Sequence, residues 1–88
     1  MKYGNYKKRP DLKQRNLDSK LLLYDLNKGS LLELNSSARY IWLNIDNKNM
    51  NDLISDYAEH YGIELDIAAK DVAAVIDELV RNEFIAEA

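Results

Sequence analysis

Residues 31–42, LLELNSSARYIW, constrain this chain more than any other stretch. Leu31, Leu32 and Leu34 form a short apolar run broken only by Glu33, as in a strand. Asn35-Ser36-Ser37 then offers side-chain oxygens of the kind that accept backbone N–H groups at a helix start. Ala38, Ile41, Trp42 and Ile45 follow at i, i+3, i+4 and i+7, the spacing of one helical face. A strand therefore hands over directly to a helix, with sheet expected before it and helices after it.

Upstream, residues 21–26 (LLLYDL) read as a strand of ordinary length. Asn27-Lys28-Gly29 reads as the turn that follows, with Gly29 able to take the positive φ of a tight hairpin. Ser30–Leu34 is the return strand. Residues 12–17 form a weaker first strand, closed by a turn at Asp18-Ser19-Lys20. Pro10 cannot donate to a sheet and marks a bend or an edge. Residues 1–9 (MKYGNYKKR) show neither strand nor helix period and read as a flexible basic arm, leaving 10–88 as one domain.

Downstream, the first helix runs from Ser36 or Ser37 to Ile45 and is broken by Asp46-Asn47-Lys48. The second starts after Asn49, buries Leu53, Ile54, Tyr57, Ala58 and Tyr61, and ends on Gly62. Asp66 is expected to cap a third helix over residues 67–82, with Val72, Val75, Ile76, Leu79 and Val80 as its stripe. Phe84-Ile85-Ala86 returns as a short strand or plugs the core. The expected class is α+β: a three-stranded antiparallel sheet followed by three helices, like a winged helix-turn-helix.

Composition removes several functions. The chain has no cysteine and one histidine, His60, so it offers no thiolate and no multi-histidine metal site. Asp52, Asp56 and Glu59 share one side of the second helix, as on a solvated face. His60 sits where a helix end favours positive charge. Its three glycines are scattered and form no phosphate loop. No catalytic residue, metal site or cofactor is expected. No apolar run is long enough to span a membrane, and no apolar stretch follows the N-terminal lysines as in a secretory signal. A soluble cytoplasmic protein is expected.

The topology raises nucleic-acid binding as an alternative, because such folds place a helix in the major groove. The charges oppose it. Residues 1–30 hold eight Lys/Arg against three Asp (+5), whereas 31–88 hold four against twelve Asp/Glu (−8). The third helix sets Lys70 and Arg81 against Asp66, Asp71, Asp77 and Glu78, and the second has no Lys or Arg. A duplex would repel both. A winged-helix DNA-binding regulator is thus the less favoured reading.

Peptide binding fits better. Ser30–Leu34 ends the meander, contains neither Pro nor Lys, and carries leucine on both faces. Two readings stay open on pattern alone: a guest strand pairs with this edge, or the strand is central or covered by a helix or second subunit.

The order of these motifs resembles the PqqD-like family. The resemblance rests on the apolar strand 21–26, Gly29, Leu34-Asn35, Ala38 and Ile41-Trp42. Further along, Tyr57 to Gly62, Asp71-Val72 and Leu79 continue it, covering residues 12–86. It implies a non-enzymatic recognition element for ribosomally made, post-translationally modified peptides. Such proteins bind a precursor's leader as an added strand in a cleft closed by the third helix, and deliver it to a separate modifying enzyme or leader peptidase. Carried over by position, the peptide-binding residues are Ser30, Leu31, Leu32, Glu33 and Leu34 on the strand. On the helix they are Asp71, Val72, Val75, Glu78 and Leu79. On a helical wheel Val72, Ile76 and Leu79 centre the core stripe, so Asp71, Val75 and Glu78 are the favoured wall.

Two positions depart from the family pattern. Members serving pyrroloquinoline quinone synthesis carry a Pro-Glu-Gly turn where this chain has Asp25-Leu26-Asn27-Lys28-Gly29. The family's glycine after the last helix is Glu83 here, so Asn82 is expected to supply the left-handed residue. Trp42 and the chain's length look more like the small leader-binding proteins of lasso-peptide clusters. A peptide chaperone for quinone or sactipeptide synthesis is the alternative. A monomer or weak dimer is expected.

Overall fold

The computed structural model describes residues 5–46 and 48–87. In chain order its elements are β1 (Tyr6–Lys8), β2 (Leu12–Leu17), β3 (Lys20–Asp25), β4 (Ser30–Leu34), α1 (Ser36–Asn44), α2 (Met50–Tyr61), α3 (Leu65–Arg81) and β5 (Ile85–Glu87). The class is α+β: the antiparallel sheet β2-β3-β4 followed by three helices.

The β3–β4 turn is built by Asp25. Its carboxylate accepts the N–H groups of Asn27 (3.0 Å) and Lys28 (3.2 Å). Gly29, at φ 70°, donates its N–H to the Asp25 carbonyl at 2.7 Å. The turn sets Leu21 opposite Leu34 and Leu23 opposite Leu32. Strand side chains alternate between faces, so these four leucines share the face that meets the helices. Leu21, Leu23 and Leu34 are buried there, and Leu32 packs against the core.

The helices close over that face. Asn35 caps α1 by accepting the Ala38 N–H, and Asn49 caps α2 by accepting the Asp52 N–H. Gly62, at φ 64°, ends α2 in the left-handed conformation. Ala38, Ile41, Trp42 and Ile45 are buried, as their spacing predicts. The Trp42 indole N–H finds its acceptor in the Gln14 side chain at 2.9 Å. In α3 the buried stripe is Ala68, Val72, Ile76 and Leu79, with Val75 only packed against its edge and Val80 exposed.

Four expectations are corrected. Tyr6–Lys8 lies in the stretch read as an arm, yet it pairs as β1 with β5. The pairing is driven from the tail: Phe84 and Ile85 are buried, and the Phe84 carbonyl accepts the Arg9 N–H at 3.0 Å. Lys8 then holds β1 against α1, its ammonium 4.7 Å above the Trp42 ring and 3.6 Å from Asp46. Residues 1–4 of the expected arm, and Asn47 of the break after α1, lie outside the described residues. Asp66 does not cap α3: Glu64 holds that position without a side-chain hydrogen bond, and Asp66 sits in the first turn. Tyr61 is more exposed than a core-stripe residue should be: it is the last residue of α2, and its ring lies against Tyr57 and His60 rather than in the core. Finally, Asn82 has φ −89°, and Glu83 takes the left-handed conformation at φ 62°. The Glu83 N–H bonds the Val80 carbonyl and the Phe84 N–H bonds that of Leu79, so burying Phe84 forces the turn onto Glu83.

Candidate peptide-binding groove

The sheet order β2-β3-β4 leaves β4 paired on one side only among the described residues. Its backbone N–H and C=O groups on the other side are open to a further strand. Leu31 and Glu33 point to the outer face, where Leu31 is 62% exposed. Leu32 and Leu34 point inward.

A cleft of about 310 Å³ runs from the end of this edge to α3. Glu33 and Leu34 form one wall, Asn35, Ser37 and Ala38 the closed end, and Asp71, Ala74, Val75 and Glu78 the wall on α3. Five of the residues expected at a site therefore meet: Glu33, Leu34, Asp71, Val75 and Glu78. Ser30, Leu31 and Leu32 lie further along the same edge. Val72 and Leu79 do not reach the cleft. Both are 0% exposed, because α3's period turns them with Ile76 into the core. Asp71, Val75 and Glu78, three and four residues apart, fall on the neighbouring flank.

Tyr57 is the lining residue that spacing alone misplaces. As expected its ring is in the core, but its hydroxyl reaches the groove and donates to the Asp71 carboxylate at 3.3 Å. A buried tyrosine usually finds a partner for its O–H, and that requirement was the available signal. Burial pushes the Tyr57 hydroxyl pKa above its ordinary value, with the Asp71 charge adding to it and Ser37 pulling the other way. Tyr57 therefore stays a neutral donor at ordinary pH. Ser37, Ala74 and Asn35 also line the cleft, and nothing in their local pattern marks them.

The groove is acidic. Glu33, Asp71 and Glu78 line it without a Lys or Arg. Glu33 has an exposed partner, Lys20, at 3.8 Å. An apolar floor at Val75 and Ala74 under two α3 carboxylates suits an aliphatic stem ending in a cation.

The other titratable candidates do not converge. Asp56 is bonded to Lys48 at 2.6 Å and Asp52 to the Asn49 cap. His60 stacks on Tyr40 at 4.3 Å. Among the described residues no group of His, Cys, Asp or Glu is placed to hold a metal ion, and no helix is long and apolar enough to cross a membrane.

The family model for coenzyme PQQ synthesis protein D (PqqD) matches residues 20–85. The chain belongs to the PqqD family. The match begins with β3 and so takes in the whole groove while leaving out β1 and β2. Two solved structures share the fold of this PqqD-family chain. TbiB1 in complex with the TbiA(beta) leader peptide is 16% identical, with a TM-score of 0.80 over 90% of this chain and 93% of that one. A lasso peptide synthetase B1 complexed with the leader peptide is 24% identical, with a TM-score of 0.81 over 93% of this chain and 98% of that one. A search of the curated proteins finds no match.

Proposed function

We propose that this PqqD-family chain binds the leader segment of a ribosomally synthesised precursor peptide by strand addition along Ser30–Leu34. Guest side chains enter the groove against Asp71, Val75 and Glu78, and the chain presents the peptide to a separate modifying enzyme or leader peptidase in lasso-peptide biosynthesis. The observation that carries this reading is a one-sided edge strand opening into a groove walled by α3. Both fold neighbours are leader-peptide complexes, which supports it.

The chain acts by binding alone, as a monomer or weak dimer in the cytoplasm, where precursor peptides are made. Its binding unit is 10–88 together with β1, which pairs with the tail strand β5. Each main-chain hydrogen bond to the guest contributes roughly 0.5–1.5 kcal/mol net, while micromolar affinity needs about 8 kcal/mol. Side-chain burial in the groove must supply much of the rest.

The test is titration of the fluorescein-labelled leader of the precursor gene adjoining this chain's own. Micromolar or tighter binding is expected. Leu31→Asp should weaken it without changing the circular dichroism, since Leu31 is exposed. Binding of a labelled DNA duplex with no binding of the leader overturns the proposal.

A further inference from the structure

A second cleft, of about 350 Å³, lies between α1 and the end of α2. Ser36, Arg39, Tyr40, Leu43, His60 and Tyr61 line it. It starts where the groove stops. Ser36 adjoins Ser37 of the groove, the Tyr57 ring of the groove packs 4.8 Å from the Tyr61 ring of the cleft, and the Tyr61 hydroxyl donates to the Ser36 carbonyl at 3.5 Å. The two depressions therefore share a wall.

The cleft's chemistry differs from the groove's. Tyr40 and His60 stack at 4.3 Å, and Tyr61 meets His60 edge-on at 4.7 Å, which makes a rigid aromatic shelf. Leu43 is 55% exposed beside it and takes no part in the core. No carboxylate lines the shelf, and Arg39, whose guanidinium donates to the Asp18 carbonyl at 2.9 Å, is among its lining residues, whereas three carboxylates line the groove.

We propose that this aromatic cleft is a second subsite for the same peptide, resting on the leader-binding reading above. It seats an apolar or aromatic side chain from the segment that runs past the Leu34–Asn35 end of β4. The length of the edge leaves room for such a path. β4 has five residues, so at about 3.3 Å per residue the edge spans roughly 17 Å. Beyond Leu34 the chain turns into α1, and a guest that continues past that end leaves the sheet over the first turn of that helix. Exposed Ser36 and Leu43, with half-buried Tyr40 between them, lie at i, i+7 and i+4 and form the stripe that it meets there. The charges order the peptide: a cation beside α3, and an apolar, uncharged or acidic segment beside Arg39.

The experiment uses the full chain and two labelled probes: the complete leader of the adjoining precursor gene, and a segment of it trimmed to span only the edge. Leu43→Asp and, separately, His60→Ala, which lines the cleft without touching Tyr57, should each weaken the complete leader by about tenfold, from lost burial of one side chain. The trimmed segment should bind both variants as it binds the parent chain. Unchanged affinity of both variants for the complete leader overturns the subsite while leaving strand addition standing. Equal loss for both probes, with altered circular dichroism, overturns it in favour of a structural role. Failure of the parent chain to bind either probe overturns the leader-binding reading and the subsite together.

Discussion

Val75→Lys is the most direct test of the groove. Val75 is half-buried on the groove face of α3, four residues after Asp71 and three before Glu78. Lysine there pairs with both carboxylates along the helix, each pair contributing about 0.2–0.5 kcal/mol. That roughly offsets the partial valine burial it gives up, so the domain should stay folded. For a guest the same change is costly. The part of valine still exposed, at most about a third, no longer packs, a loss of about 0.5–1 kcal/mol. The guest must also displace the lysine ammonium from its carboxylates and leave it without them, about 1–2 kcal/mol more. The sum, about 1.5–3 kcal/mol, corresponds to roughly 10- to 150-fold weaker binding. Fluorescence anisotropy with the labelled leader reads this, with circular dichroism as the folding control. A folded variant that binds within twofold of the parent chain would refute the placement of the guest against α3.

Other outcomes follow from the same contacts. Glu83→Gly removes a left-handed non-glycine residue at a cost of about 1 kcal/mol, but loses an exposed ion pair with Lys28. A net gain of about 0.5 kcal/mol should raise Tm by about 2–4 °C, whereas Glu83→Ala, which keeps the strain, should not. Phe84→Ala empties a fully buried site that also anchors β1. It should cost about 3–5 kcal/mol in urea unfolding, and a loss below about 1 kcal/mol would show that the tail is not part of the core. Lys48 has its pKa raised by the hydrogen bond to Asp56. A raised cationic pKa stabilises below the ordinary value of 10.5 and is lost as pH rises through the folded value. Lys48→Gln should therefore lower Tm at neutral pH and flatten its decline in alkali.

Local chemistry along the chain determined the elements. The Asn35 and Asn49 caps, the positive φ at Gly29 and Gly62, and the spacing of Ala38, Ile41, Trp42 and Ile45 act within a few residues, so they are visible without the fold. The faces of β4 were legible for the same reason, since alternation puts Leu31 and Glu33 on one face and Leu32 and Leu34 on the other, but pattern left open whether the strand was an edge, which the sheet order decides. Half the groove followed from the period of α3, which separates Asp71, Val75 and Glu78 from Val72 and Leu79.

Long-range packing decided the rest. β1 and β5 are each three residues long and lie at opposite ends of the chain, too short to show a period. Only the burial of Phe84 and Ile85 brings them together. Glu83 is left-handed because Phe84 must point inward, a demand from the core that its own side chain does not reveal. Tyr57 has the spacing of a core residue, and its hydroxyl enters the groove only because α3 sets Asp71 within reach. A residue's pattern tells which face it occupies. What lies across from that face depends on contacts far along the chain, and there the tertiary structure alone made the site.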